Sequence, residues 1–117
     1  MFVEERIYTF APGKSGEFAK LHEAEGRAAQ ERHLGPAVGY YYTEIGQLNQ
    51  VVSLWAYPTL DERNARREAL SKDPAWGPFL AKGRPFFVAQ ETRILKPASF
   101  FDERLKSIVA LAKEWQS

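Results

Sequence analysis

The clearest strand pattern lies in the middle of the chain, where two largely apolar runs rich in Val, Tyr, Trp and Thr flank a short reversal. The runs are Val38–Glu44 and Val51–Tyr57, and Ile45–Asn49 separates them. Gly46 and Asn49 both tolerate the positive φ that a tight reversal requires. The pattern therefore predicts a β-hairpin at the centre of the fold.

The second run of this hairpin is apolar on both of its faces. Residues at Val51, Ser53, Trp55 and Tyr57 alternate with Val52, Leu54 and Ala56, and only Ser53 is polar. A strand that is apolar on both faces is covered on both faces. A chain of 117 residues has few elements for this purpose. We therefore expect helices to cover one face and a second copy of the chain, in a homodimer, to cover the other.

The remaining periodicity predicts two further strands and two helical regions. Strand patterns occupy Phe2–Phe10 and Phe86–Leu95; helical patterns occupy Ser15–Leu34 and the region from the capping box Thr59–Glu62 to Ser71, with a short helical piece after Asp73-Pro74. The order is β-α-β-β-α-β. It predicts an α+β, ferredoxin-like subunit whose four-stranded antiparallel sheet has strands one and three at its centre and helices on one face.

A further amphipathic helix is predicted after the sheet. Its apolar stripe consists of Phe101, Leu105, Ile108, Val109, Ala112 and Trp115. The chain thus divides into a domain at residues 1–98 and a helical extension at residues 99–117. Because an exposed stripe of this size promotes aggregation, we expect the extension to dock on the barrel or on the partner subunit.

Composition narrows the classes of function. Sixteen basic and fifteen acidic residues give a net charge of +1, which offers no electrostatic basis for binding nucleic acid. No apolar run approaches the roughly 18 residues of a membrane span, and the N-terminus carries no signal-peptide pattern. The chain has no cysteine, which excludes a thiol nucleophile and a thiolate metal site. We expect a cytoplasmic protein.

Several short motifs resemble those of the NIPSNAP family. They are Glu4-x-Arg6-x-Tyr8, Arg32-His33-Leu34-Gly35, Thr43-Glu44-Ile45-Gly46, Leu54-Trp55-x-Tyr57, Asp73-Pro74-x-Trp76 and Arg93-Ile94-Leu95-x-Pro97. The resemblance covers about residues 1–98 and implies a subunit of the dimeric α/β-barrel superfamily. The family usually has His at the position of Ser53, so any role of that His is absent here. The resemblance implies no settled activity, although superfamily neighbours include cofactor-independent monooxygenases, haem-dependent enzymes and isomerases.

Charged residues interrupt the apolar stripe of the first long helix. At 3.6 residues per turn, Glu25 and Arg32 fall in the middle of the stripe, and His22 falls on its shoulder. Two interpretations are open. The charges line a cavity between this helix and the sheet, or they belong to a buried ion-pair network with Arg6 or Glu4.

Aromatic residues of the strands extend this candidate site. The predicted ligand-binding residues are Glu25, Arg32, His22, Tyr8, Arg6, Tyr40, Tyr42 and Trp55. The strand aromatics fit a core or an interface as well as a pocket. His22 and Glu25 supply only two ligands one helical turn apart, so we predict no metal site, and no motif indicates a cofactor. The arginines near residues 63–67 are interpreted as a solvated helix surface.

Three functions are compatible with these patterns. The first is binding of a small polar or aromatic molecule between helix one and the sheet. The second is a non-catalytic dimeric interaction module with a structural polar interior, and the third is a cofactor-independent enzyme resembling monooxygenases. A ligand-sized void favours the first, and a closed interior favours the second.

Overall fold

The computed structural model describes residues 1–116 and confirms the predicted order of strands and helices. The elements are β1 (Phe2–Phe10), α1 (Ser15–Leu21), a π-helical segment (His22–Gly26), α2 (Arg27–Leu34), β2 (Gly39–Tyr42), β3 (Gln50–Tyr57), α3 (Leu60–Ser71), α4 (Trp76–Gly83), a 3₁₀ turn (Arg84–Phe86), β4 (Phe87–Leu95) and α5 (Asp102–Trp115). The predicted first helix is therefore three consecutive helical pieces.

The four strands form one antiparallel sheet in the order β2-β3-β1-β4. Strands one and three lie at its centre, as predicted, and the fold is α+β and ferredoxin-like. The register places Arg6 opposite Ser53 on one side and opposite Thr92 on the other, and Ser53 opposite Tyr40. A row of polar residues therefore crosses the sheet on one face.

The core lies between this face and the helices. It contains Phe10, Phe18, Ala29, Leu34, Val51, Trp55, Tyr57, Leu70, Trp76 and Phe79. The opposite face has no such cover within residues 1–116. There Val52 and Leu54 are only half-buried, and Tyr41, opposite Val52 in the register, is 61% exposed. Burial of apolar strand residues is therefore far more complete on the helix side.

The turn after β2 has the backbone that its sequence predicts. Gly46 has φ 121° and Asn49 has φ 61°, and both lie in the region that L-residues rarely adopt. The strand itself ends at Tyr42, earlier than expected, so the connection spans residues 43–49. Asn49 also holds the loop after β1, because its carbonyl accepts from the Phe10 amide at 2.7 Å and its side-chain oxygen from the Gly13 amide at 3.2 Å.

The wide turn in the first helix changes which residues face the sheet. The Arg27 amide donates to the carbonyl of His22, five residues earlier, instead of the residue four earlier. Phe18, His22 and Gly26 are buried at four-residue spacing, and the inward face then continues with Ala29. This single wide turn contains one extra residue. The helix after Gly26 is therefore rotated relative to a regular 3.6-residue period.

The C-terminal helix α5 is held mainly near its two ends. At its start, the Asp102 carboxylate lies 3.4 Å from the terminal amino group of Met1. Beyond its end, Gln116 Nε2 donates to the Glu31 carbonyl at 2.8 Å. Leu105 is the buried residue of α5, whereas Leu111 and Trp115 are exposed. No helix within residues 1–116 is long and apolar enough to cross a membrane.

Gly26 is required for the approach of the π-helical segment to α4. A Cβ atom at this position would lie 2.8 Å from the ring of Phe79, which is itself buried. Atoms this close cannot be accommodated without moving a core side chain. A Cβ atom added at Gly16, in α1, would have no neighbouring atom within 4 Å, so the same change there meets open space.

We expect Gly26→Ala to destabilise the protein and Gly16→Ala to leave it as stable or to stabilise it. Overpacking costs about 1–3 kcal/mol, which exceeds the gain of about 1 kcal/mol in helix propensity from Gly to Ala. Urea unfolding of both variants provides the measurement. Equal free energies of unfolding for the two variants would contradict the close packing of this segment.

Candidate functional site

A pocket of about 440 Å³ lies between the first long helix, β2 and α5. Its lining residues are His22, Glu23, Arg27, Gln30, Glu31, Pro36, Ala37, Val38, Gly39, Tyr40, Tyr42, Trp55, Ala112, Trp115 and Gln116. This volume falls in the range of pockets that bind small organic molecules. The pocket combines aromatic walls with several polar groups, as such sites require.

His22 lies at the inner end of the pocket and is buried among aromatic rings. Its ring stacks on Tyr40 with centroids 4.9 Å apart and on Phe18 at 5.9 Å. Its Nε2 lies 2.7 Å from Gln30 Oε1. Burial lowers the pKa of His22, outweighing the Gln30 hydrogen bond that raises it, and nearby Arg27 lowers it further. Because an amide oxygen only accepts, the neutral ring carries its proton on Nε2.

The tyrosines and tryptophan of the sheet form the floor of the pocket. Burial raises the pKa of Tyr40 and of Tyr42, so both hydroxyls stay protonated near neutral pH. Trp55 Nε1 donates to Ser53 Oγ at 2.9 Å, and both residues are buried. Because this indole N–H is already satisfied, Trp55 offers only its apolar ring to a ligand.

A charged rim surrounds the solvent side of the pocket. Arg27 Nε donates to Glu31 Oε1 at 3.0 Å, and this hydrogen bond is the main reason that the pKa of Arg27 is raised. The Glu31 carbonyl in turn accepts the bond from Gln116. The end of α5 is thus attached to the same helical turn that supplies the rim.

The structure brings four of the predicted site residues together: His22, Tyr40, Tyr42 and Trp55. Its placement of His22 corrects the sequence analysis, because the ring is buried instead of lying on the shoulder of the stripe. The pocket also contains residues that the sequence analysis missed. Gln30 could have been found from the four-residue spacing that it continues after Gly26. The α5 residues gave no such signal, because docking of that helix leaves no local pattern.

The prediction that Glu25 and Arg32 flank a cavity is wrong. Glu25 pairs with Lys82 at 2.6 Å, and Arg32 is 55% exposed and pairs with Asp73 at 2.7 Å. Neither residue lines the pocket. The alternative, a buried network of these two charges with Arg6 or Glu4, is equally wrong. Both interpretations assumed a constant helical period, which the π-helical segment interrupts.

Arg6 and Tyr8 lie outside the pocket, in a second polar cluster. Arg6 donates to the Tyr8 hydroxyl from Nε at 2.9 Å and from Nη2 at 2.6 Å, and its Nη1 lies 3.1 Å from Glu4 Oε2. The Tyr8 ring stacks on Phe87 with centroids 4.9 Å apart. The predicted set of eight residues thus divides between two places on the helix face of the sheet and an exposed helix surface.

Asp73 joins the end of α2 to the start of α4. Its Oδ2 accepts from Arg32 Nη2 and from His33 Nε2 at 2.8 Å, and its Oδ1 accepts from the Ala75 amide at 2.9 Å. These bonds hold the pKa of Asp73 well below its ordinary value, and the bond from Arg32 has the largest effect. The Arg32-His33-Leu34-Gly35 and Asp73-Pro74-x-Trp76 motifs therefore have a structural explanation. Within residues 1–116, no three His, Asp or Glu side chains converge as metal ligands.

Comparisons with known proteins place the chain among sequences of one family. The model of the NIPSNAP family matches residues 3–102, so α5 lies almost wholly beyond the match. The NipSnap homolog of Dictyostelium discoideum is 32% identical over 94 residues, which are 80% of this chain and 41% of that protein. The chain therefore spans less than half the length of this relative.

Solved structures support the same assignment. A NIPSNAP family protein with unknown function from Agrobacterium tumefaciens is 43% identical with a TM-score of 0.82, and the match covers 86% of this chain and 90% of that chain. An antibiotic biosynthesis monooxygenase has a TM-score of 0.59 at 8% identity, covering 84% and 99% of the two chains. The second similarity is one of fold alone.

The burial of His22 predicts a loss of stability on acidification. Because the folded state holds the pKa of His22 below the unfolded value of about 6.5, protons bind preferentially to the unfolded chain as pH falls. Stability is full above that value and is lost as pH falls through the folded pKa. Urea unfolding between about pH 7.5 and about pH 5.5 should show this decline.

The His22→Gln variant should have a flatter pH profile over the same range. His33→Gln is the matched control, because it leaves the buried ring in place and should retain the decline. An unchanged slope in His22→Gln would show that another group causes the pH dependence.

Proposed function

The chain belongs to the NIPSNAP family, and from this membership and the pocket beside His22 we propose that it binds a small polar or aromatic molecule. The observation that carries the proposal is a buried, neutral imidazole at the inner end of a ligand-sized pocket with aromatic walls. A structural histidine needs no adjoining void of this size. The proposal assigns no reaction to the site.

The chemistry of the walls favours a flat ligand with hydrogen-bonding groups at its ends. Tyr40 and Trp115 line the pocket with rings on which a planar ligand can stack, whereas Trp55 is almost fully buried. Gln30 and the Tyr42 hydroxyl supply neutral hydrogen-bonding groups. Arg27 at the rim attracts negative charge, although Glu31 neutralises part of its effect. A phenol or an aromatic carboxylate has this combination of properties.

We further propose that the C-terminal extension completes the pocket. Ala112, Trp115 and Gln116 form its wall on the side of α5. Residues 1–98 would by themselves leave that side open. The extension is then a functional part of the binding domain, docked on the subunit that it belongs to.

The proposed assembly is a homodimer formed through the open face of the sheet. Val52, Leu54 and the exposed Tyr41 lie on that face, and the helices occupy the other. A second copy covers these residues by presenting the same face, as isologous dimers do. The cysteine-free sequence suits a reducing compartment, which is our basis for proposing a cytoplasmic location.

Filling the pocket from α5 should abolish ligand binding. Ala112 lines the pocket and Ala110 is exposed outside it, so Ala112→Phe and Ala110→Phe add the same side chain to the same helix. We would screen small phenols and aromatic carboxylates by ligand-observed NMR and measure affinities by calorimetry. Binding should weaken about tenfold or more in Ala112→Phe, because one lost contact of about 1.4 kcal/mol has that effect.

The Ala110→Phe variant should bind as the wild type does. Equal binding to both variants would place the ligand elsewhere. A wild-type protein that binds no fragment and carries no small molecule in native mass spectrometry would favour the non-catalytic interaction module. The monooxygenase-like alternative requires, in addition, oxygen consumption in the presence of a bound fragment.

The homodimer predicts a mass of about twice 13.3 kDa in light scattering at micromolar concentration. A stable interface of this type buries on the order of 2,000 Å². Val52→Arg introduces an unpaired charge at the open face and should give a monomer. Ala65→Arg adds the same charge to the exposed side of α3 and should remain dimeric. A monomeric wild type contradicts the proposed assembly.

A further inference from the structure

Three arginines share one buried carboxylate between β1 and α3. The side chain of Glu4 is fully buried. Its Oε2 accepts from Arg6 Nη1 at 3.1 Å and from Arg63 at 3.2 Å (Nε) and 2.5 Å (Nη2). Arg67 Nη1 lies 3.8 Å from Oε1, beyond hydrogen-bonding distance. The cluster therefore has three cations around a single anion.

The carboxylate and the arginines all keep their charges, so the cluster has an excess of two positive charges. Although burial opposes it, bonding to Arg63 and the charges of Arg6 and Arg67 hold the pKa of Glu4 below its ordinary value. Burial raises the pKa of Tyr57 to about 12, so its neutral hydroxyl donates to Glu4 Oε1 at 3.3 Å. Within residues 1–116, the ion pairs of these three arginines all involve Glu4.

Arg67 supplies a second, independent sign that an acceptor belongs here. Its Nη1 atom is buried and has no hydrogen-bond partner among residues 1–116. The nearest carboxylate oxygen, Glu4 Oε1, accepts from the Tyr57 hydroxyl at 3.3 Å and lies 3.8 Å from Arg67 Nη1, too far for a hydrogen bond. Buried donors on charged groups are rarely left unsatisfied, because their desolvation is costly.

The arginine side chains of the cluster are partly exposed, although Arg67 Nη1 itself is buried. The side chains of Arg6, Arg63 and Arg67 are 14%, 26% and 23% exposed. Thr92 lies opposite Arg6 in the register, on the same face of the edge strand β4, and it is exposed. The helices therefore leave the sheet uncovered beside the arginines, and a ligand can approach from that edge.

We propose that Arg6, Arg63 and Arg67 bind a dianionic phosphate group, either free or carried by a small metabolite. A dianion neutralises the two excess charges, and its oxygens provide an acceptor for Arg67 Nη1. The planar guanidinium forks match phosphate oxygens in pairs of parallel hydrogen bonds. Glu4 orients the guanidinium groups of Arg6 and Arg63 through its hydrogen bonds to them. None of these residues lines the pocket beside His22. A failure of phosphate binding here would therefore leave the proposed ligand binding beside His22 untouched, and the reverse is also true.

The test compares inorganic phosphate with chloride and acetate at equal ionic strength and about pH 7.5, where phosphate is mainly dianionic. Calorimetry should detect phosphate binding, and the melting temperature should rise with phosphate but not with the monovalent anions. Equal effects of the three anions would overturn the proposal. Tighter binding of glycerol 3-phosphate than of inorganic phosphate would identify a metabolite ester, and the reverse order would identify the free ion.

Variants on α3 locate the site. Arg67→Gln should weaken phosphate binding about tenfold or more, the effect of one charge-assisted hydrogen bond. Arg66→Gln removes the same charge from the adjacent residue, whose guanidinium bonds Glu62 and the Leu34 carbonyl, and should bind nearly as the wild type does. Equal weakening in both variants would show a nonspecific charge effect and would overturn the assignment.

A variant of the buried carboxylate gives an opposite expectation. Glu4→Gln raises the excess to three positive charges, so phosphate should increase its melting temperature by more than it increases that of the wild type. A smaller increase than in the wild type would overturn the role of charge balance. Should this variant not fold, the comparison of Arg67→Gln with Arg66→Gln still decides the proposal.

Discussion

The wide turn at His22–Gly26 sets the arrangement of everything on the helix side of the sheet. Because the Arg27 amide bonds to the His22 carbonyl, one extra residue enters the helix, and the residues after it rotate. His22 and Gly26 both face inward, as residues four apart on a helix do. His22 stacks on the sheet through Tyr40, and Gly26 admits the ring of Phe79. The extra residue instead changes the face presented by the residues that follow Gly26.

Rotation of the helix also determines the partners of its charged residues. Arg32 is turned toward Asp73, so it joins α2 to α4 instead of entering the core. Glu25 is turned toward Lys82 in the same way. Among residues 1–116, Glu4 is the one fully buried carboxylate, and cations from β1 and α3 surround it. Charge is thus concentrated at one internal point, while the pocket beside His22 has neutral polar groups within and ion pairs at its rim.

The sequence was sufficient for the fold because strand alternation and helix caps are local signals. The Thr59 cap illustrates this, since its hydroxyl accepts from the Glu62 amide as the capping box predicts. The pocket was predictable where it is built from strand residues such as Tyr40 and Trp55, whose period is fixed at two. Glu25 and Arg32 of the helix were misassigned because a helix period can change within one turn. No residue type in the sequence indicates where that change occurs.

The Glu4 cluster was missed for a different reason. Arg63 and Arg67 are four residues apart on a charged helix, a pattern that equally describes a solvated surface, and they were interpreted as one. Their burial depends on where α3 crosses β1, which is a property of tertiary packing. The contribution of α5 to the pocket has the same origin. Long-range contacts between an element and its neighbours are the part of the fold that a local pattern cannot specify.

The attachment of α5 near its two ends has a consequence for kinetics. The helix buries Leu105 but leaves much of its apolar stripe exposed, and it is joined to the rest of the chain by the Met1–Asp102 and Glu31–Gln116 contacts. Elements with so little buried surface open at much lower free energy than a central sheet. Its amide protons should therefore exchange before those of β1 and β3. The ligand that we propose for the pocket would then enter and leave on the timescale of helix undocking, while the sheet stays intact.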